Sequence, residues 1–226
     1  MDIELYFEEK GSGKPLILLH GNNDSCGYFK GQIEAFSREY RVIAVDTRGH
    51  GKSPRGKAPF TIRQFADDLR DFMELHNIDR ADILGFSDGG NIALVFALNY
   101  PEKVDRLILN GANLWFDGLE ADVQKEISDA YKAACDRLER DGSAAAEAEM
   151  LRIMIDDPNV PATELSKISA RTLVICGTHD MIKAEHSRLI ADGIANSELC
   201  FIEGDHFIAE ACPDEFNKAV LDFLSK

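Results

Sequence analysis

Ser87 lies at the centre of the pentapeptide Gly85-Phe86-Ser87-Asp88-Gly89. The apolar run 81–84 before it predicts a strand, and the apolar-periodic stretch 91–99 after it predicts a helix. A serine at such a turn projects its hydroxyl beyond the end of a sheet, and the flanking glycines allow strand and helix to approach closely. The pattern therefore predicts a nucleophile elbow, with an ordinary strand-to-helix turn as the alternative.

A serine hydroxyl is a poor nucleophile, so it needs a general base, and the base needs a group that orients it. Asp180 follows the strand-like run 171–176, and His206 follows the run 199–202. Open α/β sheets collect reactive groups at the carboxyl ends of their strands, and the order Ser, Asp, His is that of hydrolases with this elbow. Each residue alone also fits a polar turn, but together they predict a catalytic triad of Ser87, Asp180 and His206.

Acyl transfer also needs hydrogen-bond donors aimed at the developing oxyanion. The strand-like run 16–19 ends at the polar turn His20-Gly21-Asn22, which predicts the backbone N–H of Asn22 as one donor. The second predicted donor is the N–H of Asp88, directly after the nucleophile. His20 is an alternative base, but a histidine beside a glycine at a strand end better fits a support of the oxyanion loop.

Further motifs extend along almost the whole chain, and the set resembles the α/β-hydrolase superfamily. The motifs are His20-Gly21, Asp46-x-Arg48-Gly49-x-Gly51-x-Ser53, Gly85-Phe86-Ser87-Asp88-Gly89-Gly90, Tyr100-Pro101-Glu102-Lys103-Val104, Gly177-x-x-Asp180 and Gly204-x-His206. The set is highly specific for the superfamily and weakly specific for the substrate. The resemblance implies the α/β-hydrolase fold and a serine hydrolase.

A closer resemblance concerns the run 85–91 and the run 109–113, which are similar to the valacyclovir hydrolase (biphenyl hydrolase-like) enzymes. Those enzymes cleave esters of amino acids. The resemblance implies that the Asp88 carboxylate pairs with the ammonium group of a substrate. The alternative is that Asp88 is an acidic residue favoured at a helix N-terminus.

Two departures from the superfamily pattern affect the prediction. Some relatives carry the acid after the strand that follows the elbow helix, but residues 110–113 contain no carboxylate, so Asp180 is the candidate. Relatives often begin with a two-strand hairpin, whereas residues 2–8 supply one alternating strand before a glycine-rich turn. Ser87 excludes the relatives that use an aspartate nucleophile.

Strand and helix patterns alternate along the chain, which predicts an α/β fold with a doubly wound, mostly parallel sheet of about seven strands. The predicted strands are Ile3–Glu8, Pro15–Leu19, Arg41–Val45, Ala81–Gly85, Val104–Asn110, Arg171–Cys176 and Leu199–Ile202. The motif Thr61-x-x-Gln64 predicts a capping box at a helix start.

The alternation fails between residues 114 and 166, where two amphipathic helical stretches replace it. This insert resembles the superfamily's cap, which predicts a hydrolase core of residues 1–113 and 167–226 and a small helical cap of residues 114–166. A cap excludes water and shapes the pocket. Trp115 and Phe116 lie at its entrance, where they either form a substrate-binding wall or seat the cap on the sheet.

Composition limits the partners and the compartment. A formal charge of −15 repels phosphate backbones and anionic membranes, so neither nucleic acid nor a membrane is an expected partner. No apolar run near the start is long enough for a signal-peptide core, and five cysteines without C-x-x-C spacing indicate reduced thiols. We expect a soluble cytoplasmic protein.

The segment Gly51-Lys52-Ser53 resembles the end of a phosphate-binding P-loop. Asp46 stands where the P-loop requires its first glycine, and Pro54 follows where it requires a helix, which argues against nucleotide binding. No cofactor and no metal are predicted.

The sequence thus predicts a cofactor-independent serine hydrolase that cleaves a small carboxylic ester through an acyl-enzyme on Ser87. One alternative is another reaction of the same triad: lactone or C–C bond hydrolysis, a cofactor-free lyase step, or perhydrolysis. Another is a non-catalytic ligand-binding homologue. The substrate and the oligomeric state stay open.

Overall fold

Seven strands form one sheet among residues 2–226, which are the residues that the computed structural model describes. The strands are β1 (Phe7–Lys10), β2 (Lys14–Leu19), β3 (Tyr40–Val45), β4 (Ala81–Phe86), β5 (Val104–Asn110), β6 (Arg171–Gly177) and β7 (Ser197–Ile202). Their order is β1-β3-β2-β4-β5-β6-β7, with β1 antiparallel to β3 and every other pair parallel. The predicted doubly wound, mostly parallel sheet of about seven strands is confirmed.

Helices cover both faces of the sheet, because the central strands are apolar on both sides. All six residues of β4 are buried. The helices are α1 (Lys30–Phe36), α2 (Ile62–Leu75), α3 (Asp88–Asn99), α4 (Ala121–Asp141), α5 (Ala145–Asp156), α6 (Ala184–Gly193), α7 (Ile208–Ala211) and α8 (Pro213–Leu224). One apolar core contains the buried side chains of α2, α3 and α6, and the other contains those of α1 and α8. Because strands β2 to β7 are parallel, their carboxyl ends all lie at the same end of the sheet.

The first strand begins later than predicted: β1 covers Phe7–Lys10, whereas the alternation predicted Ile3–Glu8. The backbone of Tyr6 is engaged elsewhere, since its N–H donates to Ser53 Oγ (2.8 Å) and its carbonyl accepts from Asp46 N–H (2.9 Å). The bond from Asp46 continues the register of the β1–β3 pairing, whereas the bond to Ser53 takes the Tyr6 N–H out of the ladder, so the regular strand begins at Phe7. The alternating pattern still reflects burial, because Leu5 is part of the core.

Thr61 is the N-cap of helix α2, as predicted, and its side chain accepts a hydrogen bond from the Gln64 N–H (3.1 Å). The Gln64 side chain donates to Asp68 (3.0 Å), and within residues 2–226 the return bond to the Thr61 backbone is not formed. The helix start is thus correct, but only half of the capping box exists.

The loop that resembles the end of a P-loop is filled by its own side chains. Asp46 accepts from the N–H groups of Cys26 and Lys52, each at 2.7 Å. Gly51 has a φ of +51°, and a Cβ at this position would lie 2.1 Å from Asp46 Oδ2. Only glycine therefore lets the loop close around this carboxylate.

Helices α4 and α5 lie between β5 and β6 and share a small apolar cluster, while Ile153 of α5 also packs in the core that contains α2 and α3. The buried members of the small cluster are Leu119, Ile127 and Ile182. Helix α4 ends at Gly142 in a left-handed conformation, with a φ of +75°. In the part of the chain that the structure describes, no helix is long and apolar enough to cross a membrane.

Candidate active site

Ser87 occupies a strained turn between the last residue of β4 and the first residue of α3. Its φ of +54° and ψ of −122° are rare for a residue with a side chain. The Ser87 N–H donates to the carbonyl of Asn110 (2.8 Å), which ties the turn to β5. A Cβ at Gly85 would lie 2.0 Å from the Gly89 carbonyl oxygen, so the glycine permits the sharp bend. The local geometry is that of a nucleophile elbow.

The three predicted triad residues are hydrogen-bonded in series. His206 Nε2 lies 3.0 Å from Ser87 Oγ, and His206 Nδ1 lies 2.6 Å from Asp180 Oδ1. An ionised carboxylate only accepts, so Nδ1 carries the proton and Nε2 is free to accept the serine proton. His206 is 3% exposed and Asp180 is 9% exposed. The side chains come from the loops after β4, β6 and β7, as the sequence spacing predicts.

The carboxylate and the imidazole are both held by further contacts. Asp180 accepts from the backbone N–H groups of Ile182 (3.0 Å) and Gly177 (3.3 Å). The Phe86 ring lies 4.9 Å from the His206 ring, between centroids. A Cβ at Gly111 would lie 2.7 Å from His206 Cε1, so the chain after β5 passes directly against the imidazole. These contacts leave the histidine little freedom to turn.

His20 supports the loop after β2 and has no free nitrogen. Its Nδ1 donates to the Gly21 carbonyl (2.7 Å), and its Nε2 accepts from the Thr47 N–H (3.0 Å). Burial lowers the pKa of His20 to about 4. A Cβ at Gly21 would lie 3.2 Å from Ser87 Cβ, so this loop lies against the nucleophile. The geometry favours His20 as a support of the loop over His20 as a base.

Asp88 directly follows Ser87, and Asn22 follows Gly21, whose backbone lies against Ser87. Within residues 2–226, neither the N–H of Asn22 nor that of Asp88 donates to another group. Asp88 is the first residue of α3, where backbone N–H groups have no partner inside the helix. Their role as an oxyanion hole stays a prediction.

The Asp88 carboxylate is buried, with 9% exposure. Its Oδ2 accepts from Asn22 Nδ2 (2.8 Å), while Oδ1 has no hydrogen-bond donor among the described residues. Desolvation raises the pKa of Asp88 to about 6; the hydrogen bond from Asn22 opposes this rise, and the charge of Asp157 adds to it. Asp88 is therefore ionised at neutral pH and has one oxygen available to a cation.

Trp115 and Phe116 line a cavity of about 370 Å³ together with Asp117, Asp156 and Asp157. Ser87, Asp180 and His206 are not among its lining residues. Trp115 also packs edge-on against the His186 ring (4.9 Å between centroids), and Phe116 joins the apolar cluster under α4 and α5. The two aromatic residues thus contact the insert and face a cavity, and their substrate-binding role stays a prediction.

A second cavity, of about 280 Å³, adjoins the triad. It is lined by Asp180 and His206 together with Glu120, Asp122, Val123, His179, Met181, Asp205 and Phe207. Sequence reasoning missed these neighbours, although Asp205 and Phe207 flank the predicted histidine. Residues 2–226 contain no group of three or more His, Cys, Asp or Glu side chains arranged to bind a metal ion.

Sequence reasoning also missed a buried amide pair that orders the chain after β5. Asn91 Nδ2 donates to Asn113 Oδ1 (2.9 Å), and the Asn113 N–H donates to Asn91 Oδ1 (2.8 Å). The pair fastens this loop to the first turn of α3. A signal was present, because Asn91 is a polar residue in an otherwise apolar helix.

The chain belongs to the α/β-hydrolase fold family. The family model described as alpha/beta hydrolase fold matches residues 14–133. A putative carbamate hydrolase, RutD of Rhizobium rhizogenes, is 31% identical over 265 aligned positions, which cover 99% of this chain and 97% of that protein. The human serine hydrolase BPHL is 25% identical, with 98% of this chain and 83% of that protein covered. The resemblance found in the sequence is confirmed, and the relatives include hydrolases.

Structural similarity extends over the whole chain. A thermophilic esterase from Thermogutta terrifontis superposes with a TM-score of 0.82 at 26% identity, covering 99% of this chain and 93% of that one. The chain spans about a third of the length of some other relatives, uncharacterised mycobacterial proteins that match 47% of it at 37% identity.

Proposed function

We propose that this protein is a cofactor-independent serine hydrolase that cleaves a small carboxylic ester through an acyl-enzyme on Ser87. The observation that supports this most strongly is the continuous hydrogen-bonded series from Ser87 Oγ through His206 to Asp180. The strained elbow adds support, because it holds a serine hydroxyl toward the imidazole at a backbone cost that folding alone does not require.

In the first half of the reaction, Ser87 Oγ attacks the acyl carbon and His206 Nε2 takes the hydroxyl proton. The carbonyl electron pair moves to oxygen, where the N–H groups of Asn22 and Asp88 receive it. The tetrahedral intermediate then collapses, the bond to the alcohol breaks, and Nε2 returns the proton to the leaving oxygen. Asp180 stays ionised throughout and stabilises the imidazolium.

In the second half, water replaces the alcohol. His206 Nε2 takes a proton from the water as its oxygen attacks the acyl carbon of the ester on Ser87. Collapse of this second intermediate breaks the bond to Ser87 Oγ, which recovers its proton from Nε2. The products are a carboxylic acid and an alcohol, and the enzyme returns to its starting state.

The insert of residues 114–166 is proposed as a cap over this site. The cavity of about 370 Å³ lined by Trp115 and Phe116 supports a wall for one side of a small substrate. The free Oδ1 of the buried Asp88 supports recognition of an ammonium group on the acyl side, as in an ester of an amino acid. The Asp88 assignment rests on its place in the elbow, and the Trp115 and Phe116 assignment rests on their place at the start of the insert.

A carbamate is the second candidate substrate. The observation that favours it is the 31% identity to a putative carbamate hydrolase along nearly the full length of both chains. The triad would act on the carbamate carbonyl in the same way, with an amine or alcohol as the leaving group. The alignment spans more positions than this chain has residues, so that relative contains segments that this chain lacks.

Active-site labelling combined with a substrate panel tests the proposal. A fluorophosphonate should attach to one residue, and peptide mass spectrometry should find it on Ser87. Ser143→Ala, which alters an exposed serine in the loop between α4 and α5, is the matched control and should label normally. Chromogenic esters, carbamates and lactones then rank the substrate classes. Labelling of another residue, or labelling without turnover of any class, would contradict an ester hydrolase.

A further inference from the structure

The side-chain amide of Asn22 joins three parts of the protein. Its Nδ2 donates one hydrogen bond to Asp88 Oδ2 (2.8 Å) and one to the main-chain carbonyl of Met150 (3.1 Å). A carboxylate and a carbonyl can only accept, so the nitrogen rather than the oxygen of the amide must face both groups. One side chain therefore connects the loop after β2, the elbow helix α3 and the insert helix α5.

We propose that the Asn22 side chain is a positioning group that aligns the Asn22 backbone N–H in the oxyanion hole when helix α5 is docked. This inference rests on the proposed serine hydrolase. It assigns Asn22 a second role, because the backbone of the residue is the donor and its side chain controls where that donor points. The insert then takes part in the chemical step as well as in shaping the pocket.

Peptide planarity supplies the first half of the argument. The Gly21 carbonyl and the Asn22 N–H belong to the same peptide unit, and in a trans peptide they point in opposite directions. His20 Nδ1 holds that carbonyl oxygen at 2.7 Å. The hydrogen bond from His20 therefore fixes the direction in which the Asn22 N–H points.

The Asn22 side chain fixes the other end of the same segment. Asn23, the next residue, has a φ of +54°, so the turn is strained and needs outside contacts to persist. The bonds to Asp88 and Met150 hold the Asn22 side chain against two separate elements. With His20 on one side and these two acceptors on the other, the peptide that carries the donor is held at both ends.

The insert contributes to this alignment through a specific contact. Glu149 directly precedes Met150 and forms two hydrogen bonds with Arg55, from Nε (2.7 Å) and from Nη2 (2.6 Å). Arg55 lies outside the insert and also donates to the Ala58 carbonyl (2.8 Å). Movement of α5 away from Arg55 would withdraw the Met150 carbonyl and leave the amide with Asp88 alone.

The test compares an oxygen ester with its thionoester, because sulfur is a poor acceptor and gains little from an oxyanion hole. Loss of a complete oxyanion donor lowers kcat about 10² to 10³-fold. Asn22→Ala keeps the backbone N–H but misaligns it, so we expect kcat for the oxygen ester to fall about tenfold to a hundredfold. KM and the thionoester rate should change much less, so the preference for oxygen over sulfur should collapse.

Asp88 offers a conservative variant. Asp88→Asn retains an oxygen that accepts from Asn22, whereas Asp88→Ala removes it, so the asparagine variant should keep more of the oxygen preference. Lys132→Ala is the control in the insert, because Lys132 forms an ion pair with Asp136 on the exposed face of α4. It should leave the oxygen-to-sulfur ratio unchanged.

Equal losses on both substrates, or an unchanged ratio in Asn22→Ala, would overturn the inference. If Asn22→Ala does not fold, Arg55→Ala carries the test, because it loosens α5 and leaves Asn22 intact. An unchanged ratio in Arg55→Ala would then exclude the dependence on the insert. Activity that survives Ser87→Ala would instead contradict the proposed serine hydrolase itself.

Discussion

The triad and the helical insert of α4 and α5 are built in opposite ways. Asp180 and His206 are almost fully buried, and they are hydrogen-bonded to each other just after the carboxyl ends of β6 and β7. Helix α4 buries only Ile127 and Ala134, and its ion pairs are exposed; the side chains of Lys125 and Asp129 are 77% and 66% accessible. Exposed pairs of this kind contribute little to stability.

The triad and the insert therefore differ in how firmly their side chains are held. The strand ends hold the reacting groups firmly, because the central sheet is close-packed on both faces. The insert has few buried apolar contacts of its own, so we expect it to open at a lower free energy than the sheet does. Asn22 connects the two regions, because its side chain bonds both to Asp88 of the elbow helix and to Met150 of the insert.

The largest effect is expected from substitutions in the triad itself. Ser87→Ala should lower kcat up to about 10⁶-fold and leave the fold intact, and replacement of Asp180 should be milder. The cause is loss of the nucleophile in one case and of the group that orients the imidazole in the other. Steady-state kinetics on a chromogenic ester measures both. The circular dichroism spectrum is the control for folding, and substantial turnover by Ser87→Ala would contradict the mechanism.

The triad could be predicted from sequence because each member directly follows a strand. Strand ends are marked by local apolar runs and turn residues, and parallel topology brings them to one edge. The elbow carried its own signal in Gly85 and Gly89, whose missing side chains allow the bend. Their chain order supplied the remaining information.

Contacts between distant segments could not be predicted. The bond from Asn22 to Met150 spans 128 residues, and nothing in either local pattern indicates it. The start of the predicted strand Ile3–Glu8 was misplaced for the same reason, because the Tyr6 N–H bonds to the Ser53 side chain, which is 47 residues away. Periodicity reports burial, but it does not report which backbone groups a distant loop takes.

The second prediction concerns substrate charge. A charge-assisted pair between the free Oδ1 of Asp88 and a substrate ammonium group is worth about 1.5 to 3 kcal/mol, so wild type should prefer an amino-acid ester to its des-amino analogue about tenfold to a hundredfold. Asp88→Asn should lose most of this preference. The comparison of kcat/KM for the two esters is the measurement. Equal values in wild type would leave Asp88 as the acceptor for Asn22 and the start of α3.

The pH dependence of that preference follows from the same carboxylate. Burial raises the pKa of Asp88 to about 6, so the group is ionised above this pH and neutral below it. The preference for the amine should therefore be greatest near pH 7, where Asp88 is ionised and the α-ammonium group, with a pKa of about 7.7 to 8.0, is still protonated, and it should decline as the pH falls through about 6. The des-amino ester serves as the control, because a pH effect on the triad itself changes kcat/KM for both substrates alike. A preference that persists at pH 5 would contradict the assignment.

The free energy of unfolding should change with pH in the opposite direction to the substrate preference. Because the pKa of Asp88 is higher in the folded protein than in the unfolded chain, this group favours folding most at low pH, and the contribution is lost as the pH rises through about 6. Asp88→Asn removes the cost of a buried charge, so at pH 8 it should raise the free energy of unfolding by about 2 to 3 kcal/mol. Denaturant unfolding at pH 4 and pH 8 measures it. A gain of equal size at both pH values would point to packing rather than charge.

The smallest expected effect concerns the attachment of the insert. The side chains of Arg55 and Glu149 are 38% and 31% accessible, and a pair exposed to this degree contributes about 1 kcal/mol or less. Glu149→Gln should therefore leave the melting temperature of the whole protein nearly unchanged. If α5 opens more readily than the sheet, the variant should still speed amide hydrogen exchange in α5 several-fold while leaving exchange in β4 unaffected. Equal acceleration in both elements would mean that the insert and the sheet open as one unit, and the proposed separation between a rigid site and an adaptable cover would be wrong.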